Sequence, residues 1–446
     1  MTTQLSVERI DPTQSYADAF RALEDSEAGA APPAIQSMRA AALDRFRALG
    51  FPTTKNEDWH YTSVAPIVEH DYILVTSQSG DVRREQIAPF TFGQDDWHTI
   101  VFVNGRFAPE LSRLDDLPEG VRVLDLPTAW REAPELAEQL GQITTYDCRA
   151  FTALNTAFMY DGAVVHVERE VDVRRPIHLL FVADATAAKS MMHPRNLIVI
   201  GRHARAMVLE SYVSLTDAVY LTNAVTEVAV AEGATLHHYK MQREGMRAFH
   251  VGTIETAQAR DSHYLSFSFA TGAELSRTNI YTTLDGDGAG ATLNGLYMLD
   301  GDQHCDHQTT IVHAQPNCFS REVYKGVLDG RSHGVFNGKV YVHPIAQKTD
   351  GKQTNNTLLL SDSAQVDTKP QLEIFADDVK CTHGATVGRL DDTALFYMKS
   401  RGVSRDLARR LLTYAFAADV LETIEQEPVR EELERVTLQR FVKAEG

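Results

Sequence analysis

Between about residue 163 and residue 388 the sequence shows almost no helical periodicity, and this stretch constrains the fold more than any other feature. Short apolar runs bounded by small or turn-forming residues follow one another along it, at 164–167, 177–182, 196–200, 220–230, 263–269, 278–284, 322–328 and 335–342. Such runs are typical of β-strands. Over two hundred residues of strands without intervening helices leave a sandwich, a barrel, a propeller or a β-helix.

The turns between these runs favour one of the four architectures. A Gly-Ala-x-Leu turn recurs at 233–236, 272–275 and 290–293, which indicates that the chain enters similar corners. The spacing of the corners is irregular and no blade-length repeat is present, which counts against a propeller. We therefore predict a mainly β protein whose core, residues 163–388, is a β-helix with coils of uneven length.

Residues 1–162 are predicted to form a mostly helical N-terminal region. Helical patterns lie at 16–23, 128–140 and 151–160, and a clear helix begins at the Pro-Pro pair 32–33 and ends at Gly50. Asn104-Gly105 suits the type I′ turn of a β-hairpin. The segment 51–64, rich in Trp, Tyr, Asn and Asp, is interpreted as an ordered loop that anchors an aromatic cluster, with a binding loop as the alternative.

Residues 389–446 are predicted to form a C-terminal helical domain. Asp391 and Ser404 are suitable helix caps, and Gly402 is suited to end the first helix. An apolar stripe follows in the second helix, formed by Leu407, Leu411, Tyr414, Ala415, Ala418 and Leu421. Such a tail either covers the open end of the coil stack or docks a partner, and the pattern alone leaves both open.

Composition and missing motifs exclude several classes of function. With 43 basic and 61 acidic residues the net charge is −18, which argues against binding to nucleic acid or to an anionic membrane. The chain has no Gly-x-x-x-x-Gly-Lys-Ser/Thr motif, so we expect it to bind no nucleotide through a P-loop. The N-terminus lacks a secretory pattern and the most apolar run, 177–183, is too short to span a bilayer. We therefore expect a soluble, cytoplasmic protein.

Two candidate ligand groups stand in the β region. Cys381 and His383 are two residues apart near the end of the last predicted strand, so both point to one face. Thiolate and imidazole are metal ligands, although packing also explains such a pair. The His-Cys-Asp-His run at 304–307 alternates between two faces. Its four side chains cannot converge on an unbulged strand, so we expect a polar strand there and not a metal site.

A β-helix could also be a carbohydrate-active enzyme with the helical tail as a simple cap, and this is the alternative function. Asp377 and Asp378 are the carboxylates that suggest it. Adjacent carboxylates on a strand point to opposite faces, which is poor geometry for shared acid–base chemistry. Such enzymes are usually secreted, which the expected absence of a signal peptide argues against.

Several segments together carry a family resemblance that covers nearly the whole chain. They are Phe-Pro-Thr-Thr-Lys-Asn-Glu-Asp-Trp-His-Tyr at 51–61, the runs 337–361 and 367–388, and Phe-Tyr-Met-Lys-Ser-Arg-Gly-Val-Ser at 396–404. These segments resemble the SufB/SufD family, and Lys-Cys-Thr-His-Gly-Ala-Thr-Val-Gly at 380–388 resembles its SufD branch. The resemblance implies a right-handed parallel β-helix flanked by an N-terminal helical region and a C-terminal helical domain.

The resemblance also implies a function for the chain. It would be a non-catalytic scaffold subunit of a SufBCD complex, which assembles iron–sulfur clusters. His383 would lie at the seam with a SufB-like sister subunit and help to hold transient iron or a nascent cluster shared with it, with Cys381 as a second candidate ligand. A SufC-like ATPase would dock on the C-terminal helices around Arg401, Gly402, Ser404, Leu407 and Leu411. Open questions are whether the isolated chain is a homodimer, and whether it delivers iron or only braces the complex.

Overall fold

The protein is described by a computed structural model that covers residues 13–26, 29–76 and 80–440. Its centre is a parallel β-solenoid in which the chain passes alternately through two long sheets. Helices lie at both ends of the chain. The prediction of a mainly β fold, with a parallel β-helical core between two helical regions, is confirmed.

The described strands are numbered in chain order. They are β1 (Ile73–Leu74), β2 (His98–Val103), β3 (Arg106–Phe107), β4 (Val121–Asp125), β5 (Ala163–Val167), β6 (Ile177–Ala183), β7 (Ser190–Met192), β8 (Arg195–Ile200), β9 (Arg205–Ser214), β10 (Leu221–Val230), β11 (Thr235–Arg243), β12 (Phe249–Gln258), β13 (His263–Ala270), β14 (Leu275–Leu284), β15 (Gly290–Leu299), β16 (His304–His313), β17 (Phe319–Leu328), β18 (His333–Val342), β19 (Asp350–Leu359), β20 (Gln365–Ile374) and β21 (Lys380–Arg389).

The described helices are numbered in the same way. They are α1 (Gln14–Glu24), α2 (Pro33–Leu49), α3 (Ala65–Val68), α4 (Arg84–Ile87), α5 (Leu126–Glu132), α6 (Pro134–Ala137), α7 (Ala150–Phe158), α8 (Asp392–Ser400), α9 (Arg405–Leu421) and α10 (Glu427–Arg440). Short 3₁₀ turns occur at Glu57–Trp59, Ala88–Phe90 and Ala185–Ala187.

The two sheets are built by stacking each coil on the one before it. The first sheet follows the order β20-β18-β16-β14-β12-β10-β8-β5-β4, and the second follows β21-β19-β17-β15-β13-β11-β9-β6-β2-β3. From β8 and β9 onward every neighbouring pair along these two paths is parallel and in register. Because side chains alternate between the two faces of a strand, every second residue points into the space between the sheets, where a continuous apolar core forms.

The N-terminal region packs on the outer face of the first sheet. Helices α1, α2 and α7 bring Phe20, Phe46 and Phe158 into one apolar cluster with outward residues of the sheet such as Phe249. Helix α2 ends at Gly50, as the sequence predicts, because φ of +64° there is costly for residues with a Cβ.

The solenoid begins before residue 163. Strand β2 pairs in parallel with β6, and β4 pairs antiparallel with β5, so part of the region predicted to be mostly helical extends both sheets. The predicted hairpin joins β2 to β3, with Asn104 and Gly105 at φ values of 50° and 76°. Short strands between helical segments carry little periodicity, which is why the sequence pattern does not assign β2 and β4 to the core.

The C-terminal helices lie against the outer face of the second sheet. Val420, Ile424 and Leu433 from α9 and α10 are buried in one cluster with outward residues of the sheet, such as Phe267 and Leu296. The Ser404 hydroxyl oxygen accepts a hydrogen bond from the Leu407 amide and caps α9. This tail therefore covers a face of the sheet, and α8 contributes no buried residue.

Within the described residues, no helix combines the length and the apolar character needed to cross a membrane.

Candidate functional site

The last coil of the solenoid exposes two unpaired strand edges. Strand β20 pairs only with β18, and β21 only with β19, among the strands that the structure describes. Nine of the ten residues of β21 are exposed and the tenth, Cys381, is half-buried. Edge strands present free backbone donors and acceptors that can pair with another chain.

Cys381 and His383 lie on the same face of β21, as the spacing predicts. Their register partners on β19 are Gly351 and Gln353, both buried, so this face is the inner face of the last coil. The Cys381 side chain packs against the small apolar cluster that contains Val340. His383 is exposed because no further coil covers it.

The chemistry of this pair suits a site that another chain completes. Burial raises the pKa of the Cys381 thiol, opposed by a hydrogen bond with the Gly351 backbone, so the free thiol stays protonated near neutral pH. Metal binding would displace that proton. Within the described part of the chain no three His, Cys, Asp or Glu side chains are grouped closely enough to hold a metal ion. Cys381 and His383 therefore offer at most two ligands, and a tetrahedral iron or cluster iron needs four.

The His-Cys-Asp-His run at 304–307 does not converge, as the sequence predicts. On the outer face of β16, the Thr62 hydroxyl lies 2.9 Å from His304 Nε2 and donates to Asp306 Oδ2 over 2.6 Å. On the inner face, Cys305 Sγ lies 3.6 Å from His307 Nδ1. The two halves of the run belong to separate hydrogen-bond networks on opposite sides of the strand.

The proposed ATPase-docking residues lie together at the turn between α8 and α9. Arg401, Gly402 and Ser404 are exposed, and Leu407 and Leu411 are 40% and 39% exposed on the first turns of α9. Leu407 and Leu411 are four residues apart, so they form a solvent-facing apolar pair on one face of α9.

Sequence reasoning missed two aromatic residues that enlarge the same patch. Phe396 and Tyr397 of α8 are 73% and 58% exposed. The Arg401 guanidinium donates to the Tyr397 hydroxyl over 2.8 Å. The sequence signal that could have identified them is an aromatic pair in a helix without a clear stripe of apolar residues. We call Phe396, Tyr397, Arg401, Leu407 and Leu411 the α8–α9 surface.

Polar contacts connect the helix behind this surface to the solenoid. Lys325 of β17 donates to the Phe416 carbonyl over 2.7 Å and forms an ion pair with Asp419 of α9. Asn356 and Thr386 are the successive register partners of Lys325 on β19 and β21. The Thr386 hydroxyl donates to Asn356 Oδ1 over 2.7 Å. Three register-aligned residues on successive strands thus lie between α9 and the strand that carries His383.

A cavity of about 290 Å³ separates part of the N-terminal region from the first sheet. The Arg277 guanidinium carbon lies 3.7 Å from the Trp59 ring centroid, and that of Arg149 lies 3.6 Å from the Tyr281 centroid. Trp59 also stacks on Phe151, so the 51–64 loop anchors an aromatic cluster as predicted. Both guanidinium groups have carboxylate partners, Asp306 and Glu255.

Comparison with known proteins identifies relatives over nearly the whole chain. Residues 181–416 match the family described as SUF system FeS cluster assembly, SufBD core domain, and residues 10–179 match the SufBD protein N-terminal region. An iron–sulfur cluster assembly SufBD family protein of Synechocystis is 34% identical over 87% of each chain. The iron–sulfur cluster assembly protein SufD of Escherichia coli is 33% identical over 88% of this chain and 89% of its own. SufD of Bacillus subtilis is 28% identical over 99% of each chain.

Proposed function

Because this chain belongs to the SufBD family of iron–sulfur cluster assembly proteins, we propose that it is a non-catalytic scaffold subunit of a cytoplasmic SufBCD complex. The observation that carries the proposal is the open last coil, where an exposed His383 and a half-buried Cys381 share the inner face of an unpaired strand. A ligand pair at an open edge needs a second chain to complete it.

A SufB-like sister subunit is the partner we assign to this edge. The free backbone groups of β20 and β21 can extend a β-helix across the seam by strand pairing. Phe375 and Val387, which are 56% and 50% exposed at this end, add apolar area to the contact. Closing the seam removes water from His383, which strengthens its interaction with bound iron.

Iron or a nascent cluster is the cargo held at the seam. Neutral imidazole is a suitable ligand for ferrous iron and thiolate for cluster iron. His383 and Cys381 supply up to two of these ligands, and the sister subunit supplies the rest. The chain itself breaks no covalent bond in this scheme.

A SufC-like ATPase is the partner we assign to the α8–α9 surface. Its exposed aromatic and aliphatic side chains, with Arg401 at the rim, have the composition of a docking site. The row Lys325, Asn356 and Thr386 joins α9 to β21. We propose that ATP binding displaces α9, that this row passes the movement to β21, and that the seam opens at His383.

The test is to express the chain with its sister subunit and ATPase without oxygen, and to measure iron and acid-labile sulfide for each complex. His383→Ala is expected to retain only a small fraction of the cluster, since an exposed ligand is lost without damage to the fold. Thr382→Ala, on the other face of the same strand, is the matched control and is expected to assemble normally. Unchanged cluster content in His383→Ala would refute the ligand role and leave only a bracing role.

A further inference from the structure

A row of inward-facing side chains leads from the solenoid interior to His383. Glu322, Gln353 and His383 are successive register partners on β17, β19 and β21. Neighbouring strands lie about 4.8 Å apart, so side chains in such a row contact one another. Glu322 and Gln353 are 1% and 2% exposed, whereas His383 stands at the exposed end of the row.

The Gln353 amide is held in one orientation by its surroundings. Its Nε2 donates to Glu322 Oε2 over 2.6 Å, deeper in the solenoid. The amide lies against Gly338 of the opposite sheet, where a Cβ atom would overlap Nε2. A Cβ atom at residue 338 would therefore displace the amide from this position. The other amide atom, Oε1, is buried and has no hydrogen-bond partner among the described residues.

An unpaired buried carbonyl oxygen costs on the order of 1–3 kcal/mol, so a nearby donor gains by reaching it. The next side chain along the row is the imidazole of His383, one strand spacing away, and its ring carries an N–H donor. A histidine that binds metal through one ring nitrogen almost always donates the other N–H to an oxygen acceptor. That bond fixes the tautomer and the orientation of the ring.

We propose that Gln353 is a positioning residue for His383: its Oε1 accepts a hydrogen bond from one ring nitrogen and directs the other nitrogen out of the open coil. Glu322 secures the amide from behind, because its Oε2 accepts a hydrogen bond from Nε2 and so keeps Nε2 turned inward. This inference deepens the proposed function and rests on His383 as the ligand. When a sister subunit covers the seam, the loss of water makes the bond to Oε1 still more favourable.

The first test measures the tautomer of the His383 ring in the absence of metal. Side-chain ¹⁵N NMR of the full-length chain reports the tautomer of each neutral histidine, and the His383→Ala variant identifies the His383 signals. Wild-type His383 is expected to hold one tautomer, and Gln353→Met is expected to give the mixture of a free imidazole. Asn355→Leu is the matched control, because it removes another buried amide of β19 whose register partner is Ala385.

The second test measures iron retention in the assembled complex. Gln353→Met is expected to weaken iron binding by at least about tenfold, the usual cost of losing such an outer contact, while Asn355→Leu retains it. Gly338→Ala displaces the amide without removing it and should change the tautomer in the same way, which keeps the proposal testable if Gln353→Met does not fold. His383 signals unchanged in both variants would overturn the positioning role.

The outcomes separate this inference from the proposed function. If the His383 tautomer changes in Gln353→Met while His383→Ala assembles a normal amount of cluster, the positioning contact is supported and the ligand role is refuted. If the His383 tautomer is unchanged in Gln353→Met and Gly338→Ala while His383→Ala loses the cluster, the positioning contact is refuted and the ligand role is supported.

Discussion

Arg277 and Asp306 form a buried ion pair on the outer face of the first sheet, with 2.6 Å between Nη1 and Oδ2. The two residues are register partners on β14 and β16, and each side chain is 1% exposed. The Trp59 ring covers the guanidinium, and the Thr62 hydroxyl donates to the same carboxylate oxygen. This ion pair therefore holds the 51–64 loop on the solenoid.

Removal of one partner of this ion pair should destabilise the protein strongly. Asp306→Ala leaves the Arg277 charge buried and unpaired, so we expect the free energy of unfolding to fall by about 3–5 kcal/mol. Chemical denaturation measures the change. Asp302→Ala is the control, since it breaks the exposed pair with Arg331 and should cause no measurable loss. Equal effects of the two substitutions would contradict the role assigned to the buried pair.

The packing of α10 on the second sheet predicts a difference between two leucines of the same helix. Leu433 is fully buried in the cluster that joins the helix to the sheet, whereas Leu438 is 37% exposed. Leu433→Ala should lower the free energy of unfolding by about 2–5 kcal/mol because it leaves a cavity. Leu438→Ala should change it little. Similar losses in the two variants would show that α10 does not pack as described.

The α8–α9 surface predicts a binding defect without a folding defect. Leu407→Glu combined with Leu411→Glu puts two charges into the proposed contact, so we expect the ATPase to be lost from the purified complex. Thermal unfolding of the chain should stay unchanged, because both side chains are exposed. Leu438→Glu, on α10, is the control and should retain the ATPase. Normal ATPase recovery with the double variant would exclude this surface as the docking site.

The buried carboxyl group of Glu322 predicts a stability difference that depends on pH. Burial raises its pKa from an ordinary value of 4.5 to about 7. The folded state then binds the proton more tightly than the unfolded state. The stabilising contribution of Glu322 to the free energy of unfolding is therefore fully present below about pH 4.5 and is lost as the pH rises through 7.

The glutamine side chain in Glu322→Gln does not titrate. The free energy of unfolding of this variant, relative to that of the wild type, should therefore increase from pH 4.5 to pH 8. The gain is on the order of 3 kcal/mol for the full shift in pKa. Denaturation of both proteins at both pH values measures it, and groups shared by the two proteins cancel in the comparison. A difference that stays constant with pH would contradict the raised pKa.

Local sequence signals account for much of the fold. Alternating apolar residues and corner turns predict the strands, because side chains of a solenoid strand alternate between core and surface. Gly50, Asn104 and Ser404 mark a helix end, a hairpin turn and a helix cap where the structure has them. Each of these features depends on a few neighbouring residues, which is why the sequence is sufficient.

The sequence pattern could not predict contacts between segments that are far apart in the chain. The apolar stripe of α9 predicts a buried face but does not say that the second sheet covers it. Alternation places Gln353 on an inner face, yet only the stacking of coils shows that it lies between Glu322 and His383. The contact of Thr62 with Asp306 likewise joins segments far apart in the chain.

Membership of the chain in an assembly complex is tested by purifying the tagged chain from its own cells without oxygen and identifying the proteins that accompany it. We expect to recover an ABC-type ATPase and a sister β-helix protein, with the brown colour of iron–sulfur clusters. Recovery of the chain alone, colourless and at full yield, would contradict the assembly-complex function. It would instead favour the alternative that the chain is a carbohydrate-active enzyme.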